Sequence, residues 1–365
     1  MASIQKRDNR KWRARYRDPD GREHARHFDR KVDAERWLVS VEHSKLTGAY
    51  VDPDAGRVTF GEYAEDWRRA QAQHRATTAA QVETNLRRHA YPTFGSRAIG
   101  SIRASEVQAW VKSLSATLAP GTVEVVFRYV SSVFSAAVRD RIVVSSPCAG
   151  VKLPKAEKKR IIPMTVEQVR AIEAALPGRY RALVTLCAGT GMRQGEAFGL
   201  TADRVNFLRR TVTVDRQLVL MPGEGGPVLG PPKTDAAYRT IPVPVLVTDA
   251  LSAHIATYGE GPDRLIFANE RGEPIRRTRF SDVWRPAAKA AGLSPGTGMH
   301  ALRHYYASAL IRYGESVKVV QSRLGHASAS ETLDTYSHLW PDSEDRTRAA
   351  VEAALALPAS QSEVI

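Results

Sequence analysis

Apolar positions along the chain recur with two different periods, and the change of period divides it into segments. In KWRARYR, Trp12, Ala14 and Tyr16 alternate with Lys11, Arg13, Arg15 and Arg17, the two-residue repeat of a strand with one packing face and one cationic face. Asp18-Pro19-Asp20-Gly21 predicts a turn and REHARHF a second strand; Asp33 then opens a helix through AERWLVSVEHSKL that ends near Gly48. Residues 57–150 shift to helical spacing. There TFGEYAEDWRRAQ, TAAQVETNLRRHAYPTF, SEVQAWVKSLSA and GTVEVVFRYVSSVFSAAVRD, punctuated by Pro92, Gly95, Gly100, Pro120 and Gly121, predict a small helical bundle. The Pro- and Lys-rich run SSPCAGVKLPKAEKKRIIPMT reads as an interdomain linker. Beyond it Thr165 and Gln168 form a capping box for the helix VEQVRAIEAALP. Helices then dominate except for TVTVDRQLVL and YRTIPVP, two strands flanking a Gly/Pro-rich loop. The last residues, LPASQSEVI, carry no period and read as a mobile or docking tail.

The expected organisation is therefore a sheet-and-helix domain (1–56), a helical domain (57–150), a linker (151–163), a mixed domain (164–345) and a terminal helix with tail (346–365). The fold class is α+β, mainly α with small β elements. A chain of 365 residues suits this division, since single cores hold ~100–200 residues. The net charge of +14 is unevenly spread: residues 1–160 carry 30 basic and 18 acidic side chains, residues 161–365 carry 23 and 21. A basic first half points to a polyanion, either nucleic acid or an anionic membrane surface. No run approaches the ~18 apolar residues of a membrane span, and the basic start MASIQKRDNRKWRARYRD lacks the apolar stretch of a secretory signal. Cytosolic residence is the expectation. Cys148 and Cys187 are too few for a disulfide framework or a Cys-built zinc site. The cationic face of Lys11, Arg13, Arg15 and Arg17 suits a DNA groove, or equally a solvated edge strand that charge protects from aggregation. Arg87, Arg88 and Arg128 are candidate DNA contacts on the bundle, against the ordinary reading of a solvated helix face.

Four pieces of the second half stand out: GTGMRQGEAFGL (189–200), PPKTDAAYRTIPV (231–243), MHALRHYY (299–306) and LGHASASETLDTYSHL (324–339). The first follows a helical run and lacks the Gly-Lys-Ser/Thr of a phosphate loop, so it is not a nucleotide site. His300 and His304 stand at zinc-helix spacing, but Ala301 occupies the place of the general-base Glu and no third ligand is evident, so no metal is expected. Taken together, the four pieces resemble the catalytic domain of the tyrosine recombinases, the phage-integrase family. The resemblance rests on Arg193 with Glu196, the hairpin Lys233, His300-x-x-Arg303, Leu324-Gly325-His326, and Tyr336 ten residues on. The N-terminal segments are similar to the arm-type and core-binding DNA modules of the larger integrases.

The chemistry gives each residue type its reason. Attack on a phosphodiester builds negative charge on oxygen, and two guanidiniums, Arg193 and Arg303, form a natural clamp for it. A free phenol has a pKa near ~10, so Tyr336 needs a proton acceptor; His300 is the expected one, while His304, Tyr305 and Tyr306 read as helix packing and His338 as an unassigned polar neighbour. Lys233 is placed as the general acid for the departing 5′-oxygen. The resemblance implies that His326 hydrogen-bonds the scissile phosphate and that Glu196 supports the site from behind. A 3′-phosphotyrosine conserves the energy of the broken bond, so neither ATP, metal nor cofactor is expected.

The implied function is a site-specific recombinase that integrates and excises a phage or mobile element. Its expected partners are double-stranded attachment sites, other copies of itself in a tetramer on DNA, and accessory factors such as a DNA-bending protein or an excision factor; no membrane is involved. The alternatives are a dimer resolvase of the same family, a catalytically silent DNA-binding regulator, and a type IB topoisomerase.

Overall fold

The structure is a computed structural model describing residues 2–8, 10–19, 21–48, 50–155, 160–221, 223, 225–340 and 344–355. It divides into two compact units, Met1–Glu157 and Lys158–Ile365. The tail 356–365 and linker residues 156–159 lie outside the described residues.

The first unit opens with an antiparallel sheet of three strands, β1 (Ser3–Lys6), β2 (Trp12–Arg17) and β3 (Glu23–Phe28), in that order. Only two strands are expected from the sequence; β1 escapes because SIQK is short and has one apolar side chain, Ile4, placed opposite Ala14. Helix α1 (Lys31–Leu46) covers one face, burying Ala14, Tyr16, Ala34 and Leu38. Strand alternation puts Arg13, Arg15 and Arg17 on the other face. Glu23 partly neutralises that face, 3.5 Å from Arg13 and 3.7 Å from Arg15.

Five helices follow: α2 (Phe60–Arg69), α3 (Ala76–Asn85), α4 (Tyr91–Phe94), α5 (Ala104–Ser115) and α6 (Pro120–Arg139), with a π turn, Leu86–Ala90, joining α3 to α4. Thr59 and Glu62 cap α2 reciprocally, and Pro120 occupies the first turn of α6, where its missing N–H costs nothing. Val123, Val126, Val130, Val133 and Ala137 recur at helical spacing on α6 and are buried with Phe60, Phe94, Trp110 and Phe134. By length and composition α6 would pass for a membrane span; its apolar side packs instead into the core of this helical domain.

The second unit begins with α7 (Val166–Ala175), capped by Thr165 and Gln168, then α8 (Gly178–Thr190) and the short α9 (Gln194–Phe198). Strands β4 (Val205–Asn206), β5 (Thr211–Val214) and β8 (Arg239–Pro242) form one antiparallel sheet; β6 (Gln217–Leu220) and β7 (Pro227–Gly230) form a separate hairpin. The continuous strand expected over TVTVDRQLVL is thus broken at Asp215-Arg216, where Asp215 binds both Arg204 and Arg216, and the Gly/Pro-rich loop contributes a strand of its own. Helices α10 (Val245–Tyr258), α11 (Arg277–Ala290), α12 (His300–Arg312), α13 (Val317–Leu324), α14 (Ala329–Tyr336) and α15 (Glu344–Leu355) complete the chain. Helix α8 is buried on most sides, among them Leu183, Val184, Leu186 and Cys187, and forms the centre of a core shared with α7, α10, α11 and α12.

Candidate active site

Two left-handed glycines build the floor of the site. Gly191 ends α8 at φ +64° and Gly325 ends α13 at φ +66°. An added Cβ would meet the Tyr306 ring at 2.4 Å in the first case and the Ala236 carbonyl at 2.8 Å in the second, so both backbone angle and space demand glycine. Each glycine carbonyl accepts from an arginine. Arg303 Nη1 donates to Gly191 O at 2.8 Å, and Arg193 Nη2 donates to Gly325 O at 3.0 Å. Arg303 also donates from Nη2 to Leu324 O at 2.7 Å, and the residue is only 2% exposed. A guanidinium has five N–H donors, and these carbonyls fix its plane while engaging two of them. Burial, then the like charge of Arg193, presses the Arg303 pKa down to about 9, still cationic at neutral pH and a centre that a bound anion would stabilise.

Glu196 lies behind the arginines. It accepts from the Arg193 backbone N–H and Nη1, both at 2.9 Å, and from Arg239 Nη2 at 2.8 Å and Nη1 at 3.3 Å. Burial alone would raise this carboxyl, but hydrogen bonds and charge from Arg239, with Arg193 behind them, outweigh it and hold the group below the usual carboxylate range. Arg239 is absent from the sequence-derived set. It begins β8, an ordinary place for a solvated charge, yet its side chain is 5% exposed and its Nε also donates to Arg323 O at 2.8 Å. Two guanidiniums, Arg193 and Arg239, thus share one carboxylate, and with Arg303 nearby the site keeps a local excess of positive charge.

Tyr336 ends α14 with 1% of its surface exposed. Its hydroxyl is 2.8 Å from Nδ1 of His304, not from His300. From sequence, the proton acceptor's place falls to His300 and packing to His304; in the structure it is His304 that lies within hydrogen-bond distance of the phenol. Four residues apart on α12, the two rings touch edge to face at 4.8 Å, and it is His304 that reaches the phenol. The His326 ring lies parallel to that of Tyr336, with centroids 6.4 Å apart. His326 Nδ1 is 2.8 Å from the Thr332 hydroxyl, and burial followed by the charges of Arg303 and Arg193 pushes its pKa down to about 3. The neutral ring that this favours presents Nε2–H to an anionic oxygen in the tautomer where the Thr332 hydroxyl donates to Nδ1. Burial and then His304 push His300 down to about 4; burial and then Arg303 also lower His304. Burial raises the Tyr336 phenol to about 12.

Arg193, Arg303, His326, Tyr336 and Glu196 are thus linked through the two glycine turns, His304 and one another. Lys233 is not joined to them. It is exposed between β7 and β8, with no hydrogen bond or ion pair among the described residues. His338, next to the site in sequence, is 2.9 Å from the Ile161 carbonyl. On the helical domain, Arg87 is tied to Glu83 at 2.9 Å and Glu65 at 3.4 Å, and Arg128 to Glu124 at 3.3 Å; Arg88 is exposed and joins no ion pair among the described residues. On the sheet, Lys11 pairs with Asp29 at 3.5 Å, and Arg17 donates to the Gly21 carbonyl at 3.1 Å.

Residues 162–342 match the phage integrase family, residues 60–153 the phage integrase central domain and residues 2–48 the phage integrase N-terminal domain. Over 361 residues the chain is 30% identical to the putative prophage phiRv2 integrase of Mycobacterium tuberculosis, covering 95% of this chain and 93% of that protein. It is 25% identical to a XerC-like tyrosine recombinase of Caldanaerobacter subterraneus over 356 residues, covering 89% and 90% of the two chains. Two solved structures share the fold. One is the Tn1549 transposon integrase in complex with a circular intermediate DNA (TM-score 0.70, 22% identity, 81% of this chain and 99% of that one). The other is a lambda integrase tetramer bound to a Holliday junction (TM-score 0.58, 19% identity, 90% and 96%).

Proposed function

This chain belongs to the phage integrase family and is a site-specific tyrosine recombinase; from that premise we propose that Tyr336 is its nucleophile and Arg193 and Arg303 its phosphate clamp. The observation that supports the assignment is the Tyr336 hydroxyl 2.8 Å from His304 Nδ1, with the His326 ring stacked parallel to the phenol and the buried Arg303 guanidinium acting on it electrostatically.

In the proposed reaction the scissile phosphate settles on Arg193 and Arg303, whose excess charge offsets the charge that builds on its oxygens. His326 Nε2–H adds a neutral donor. The Tyr336 Oη–P bond forms as the P–O5′ bond breaks; the phenolic proton passes to an imidazole, and the departing 5′-oxygen takes a proton from Lys233, whose loop must approach the duplex for this step. The products are a 3′-phosphotyrosine and a free 5′-hydroxyl, and attack by a second 5′-hydroxyl reverses the chemistry and rejoins strands. Glu196 and Arg239 hold Arg193 in place.

The partners are DNA and other copies of the chain. A duplex attachment site would be gripped by the helical domain and the second unit, with the cationic sheet face of Arg13, Arg15 and Arg17 on separate arm sequences. Four protomers would form the synapse, with α15 packing on a neighbour. A DNA-bending protein and an excision factor would supply direction, and the work would be done in the cytoplasm, on the nucleoid. Within this scheme residues 1–56, 57–150 and 164–345 are the arm-binding, core-binding and catalytic domains.

The test is a trap. Purified protein and Tyr336→Phe are incubated with nicked suicide duplexes from DNA flanking the gene, and denaturing gels are read for a shifted band. Wild type should give the covalent complex and Tyr336→Phe none, with equal native-gel binding. A band from Tyr336→Phe would remove Tyr336 as nucleophile; binding without a band from wild type would favour a silent DNA-binding regulator.

A further inference from the structure

We propose that His304 is the catalytic proton acceptor for Tyr336, and that binding of the DNA phosphate is what enables the transfer. This rests on the recombinase reading above and adds a residue that the four sequence motifs leave to packing.

The hydroxyl of Tyr336 bonds one protein atom among the described residues, His304 Nδ1 at 2.8 Å. With the phenol 1% exposed, bulk water has almost no access to its proton. Burial and Arg303 favour the neutral imidazole, and in the tautomer with its proton on Nε2 the Nδ1 atom presents the lone pair that the O–H needs. His300 touches the ring of His304 rather than the phenol, which makes it a neighbour of the acceptor.

The same surroundings explain why the proton stays on oxygen in the DNA-free protein. An imidazolium at His304 would stand beside the buried cation of Arg303, and a phenolate at Tyr336 would be buried with little solvent; both charged products are disfavoured. A phosphodiester on Arg303 and Arg193 brings negative charge to the place where His304 gains its positive one. The nucleophile is therefore activated by the substrate it attacks. In the step, the Tyr336 O–H electron pair forms the new O–P bond, the proton moves to His304 Nδ1, and P–O5′ cleavage leaves an oxygen that is protonated separately.

The experiment is single-turnover cleavage of the nicked duplex by the full chain. Wild type, His304→Ala, His304→Gln and His300→Ala are compared, each also with 3,5-difluorotyrosine at position 336, whose more acidic phenol needs less help to ionise. Loss of a general base costs on the order of 10²–10⁴-fold. His304→Ala and His304→Gln should both fall by at least roughly 10²-fold with DNA binding intact, and difluorotyrosine should restore most of that loss. Glutamine retains hydrogen bonding and volume but cannot take the proton, so its failure separates acceptance from positioning. Difluorotyrosine should leave any His300→Ala defect unrepaired. Cleavage by both His304 variants within a few-fold of wild type, or a loss that difluorotyrosine leaves untouched, would overturn the proposal. Absence of a covalent product from wild type would instead overturn the recombinase assignment beneath it.

Discussion

Replacing Glu196 by Gln tests how the arginine framework is held. The carboxylate is 2% exposed and accepts four hydrogen bonds, two from Arg193 and two from Arg239. Glutamine fills the same volume but brings one acceptor and an amide that points donors at guanidinium donors. Arg193, with 29% of its side chain exposed, can rehydrate; Arg239, at 5%, cannot. Removing one partner of a buried pair leaves an uncompensated charge and costs about 3–5 kcal/mol. At roughly 2–4 °C per kcal/mol for a unit of this size, the midpoint of thermal unfolding should fall by about 10 °C. The assay is urea and thermal unfolding of wild type, Glu196→Gln, Arg239→Gln and the double variant. Removing both charges at once should recover much of the loss, because the penalty lies in the stranded cation rather than in the lost pair. A single-variant cost below ~1 kcal/mol, or a double variant whose loss equals the sum of the singles, would refute the reasoning.

Two further outcomes are expected. His326 is 7% exposed, with its folded pKa pushed from 6.5 down to about 3. The unfolded chain therefore binds that proton first, so stability is full above pH 6.5 and declines as pH falls toward 3. The contribution should reach about 2–3 kcal/mol by pH ~4.5, and urea midpoints should fall less steeply with acid in His326→Asn; equal slopes would remove His326 as the source. Lys233→Ala should unfold like wild type, since the exposed side chain holds nothing, yet cleave slowly. A 5′-thiol leaving group at the scissile bond should restore much of the rate; no rescue would assign Lys233 another role.

Much of this architecture was legible because helical spacing is a local signal. The buried stripe Val123, Val126, Val130 and Val133 and the capping pair Thr165 and Gln168 can be read from neighbouring residues alone. What escaped depends on distant partners. Arg239 looks like a solvated strand terminus until Glu196, 43 residues away, is seen to take its charge. His304 looks like packing until α14 brings Tyr336 across to it from 32 positions on. The break at Asp215-Arg216 is easily missed because the alternation resumes in phase at Leu218 beyond Arg216; the structure places both ion pairs of Asp215 there. Arg87, a candidate DNA contact by type, also pairs with Glu83 and with Glu65, the latter a partner that its own helical stretch does not announce.

The two carbonyls held by Arg303 have a consequence for how this protein could lose its chemistry. Arg303 ties the end of α8 to the end of α13, so discarding it abandons a buried tether as well as the proposed phosphate contact. Lys233, exposed between β7 and β8, tethers nothing among the described residues. A lineage drifting toward a protein that grips DNA without cutting it would meet almost no folding barrier at Lys233 and a steep one at Arg303. Decay of such an enzyme would thus begin at Lys233, the proposed proton donor, leaving the arginine-held floor standing as a relic of the cleavage it once served.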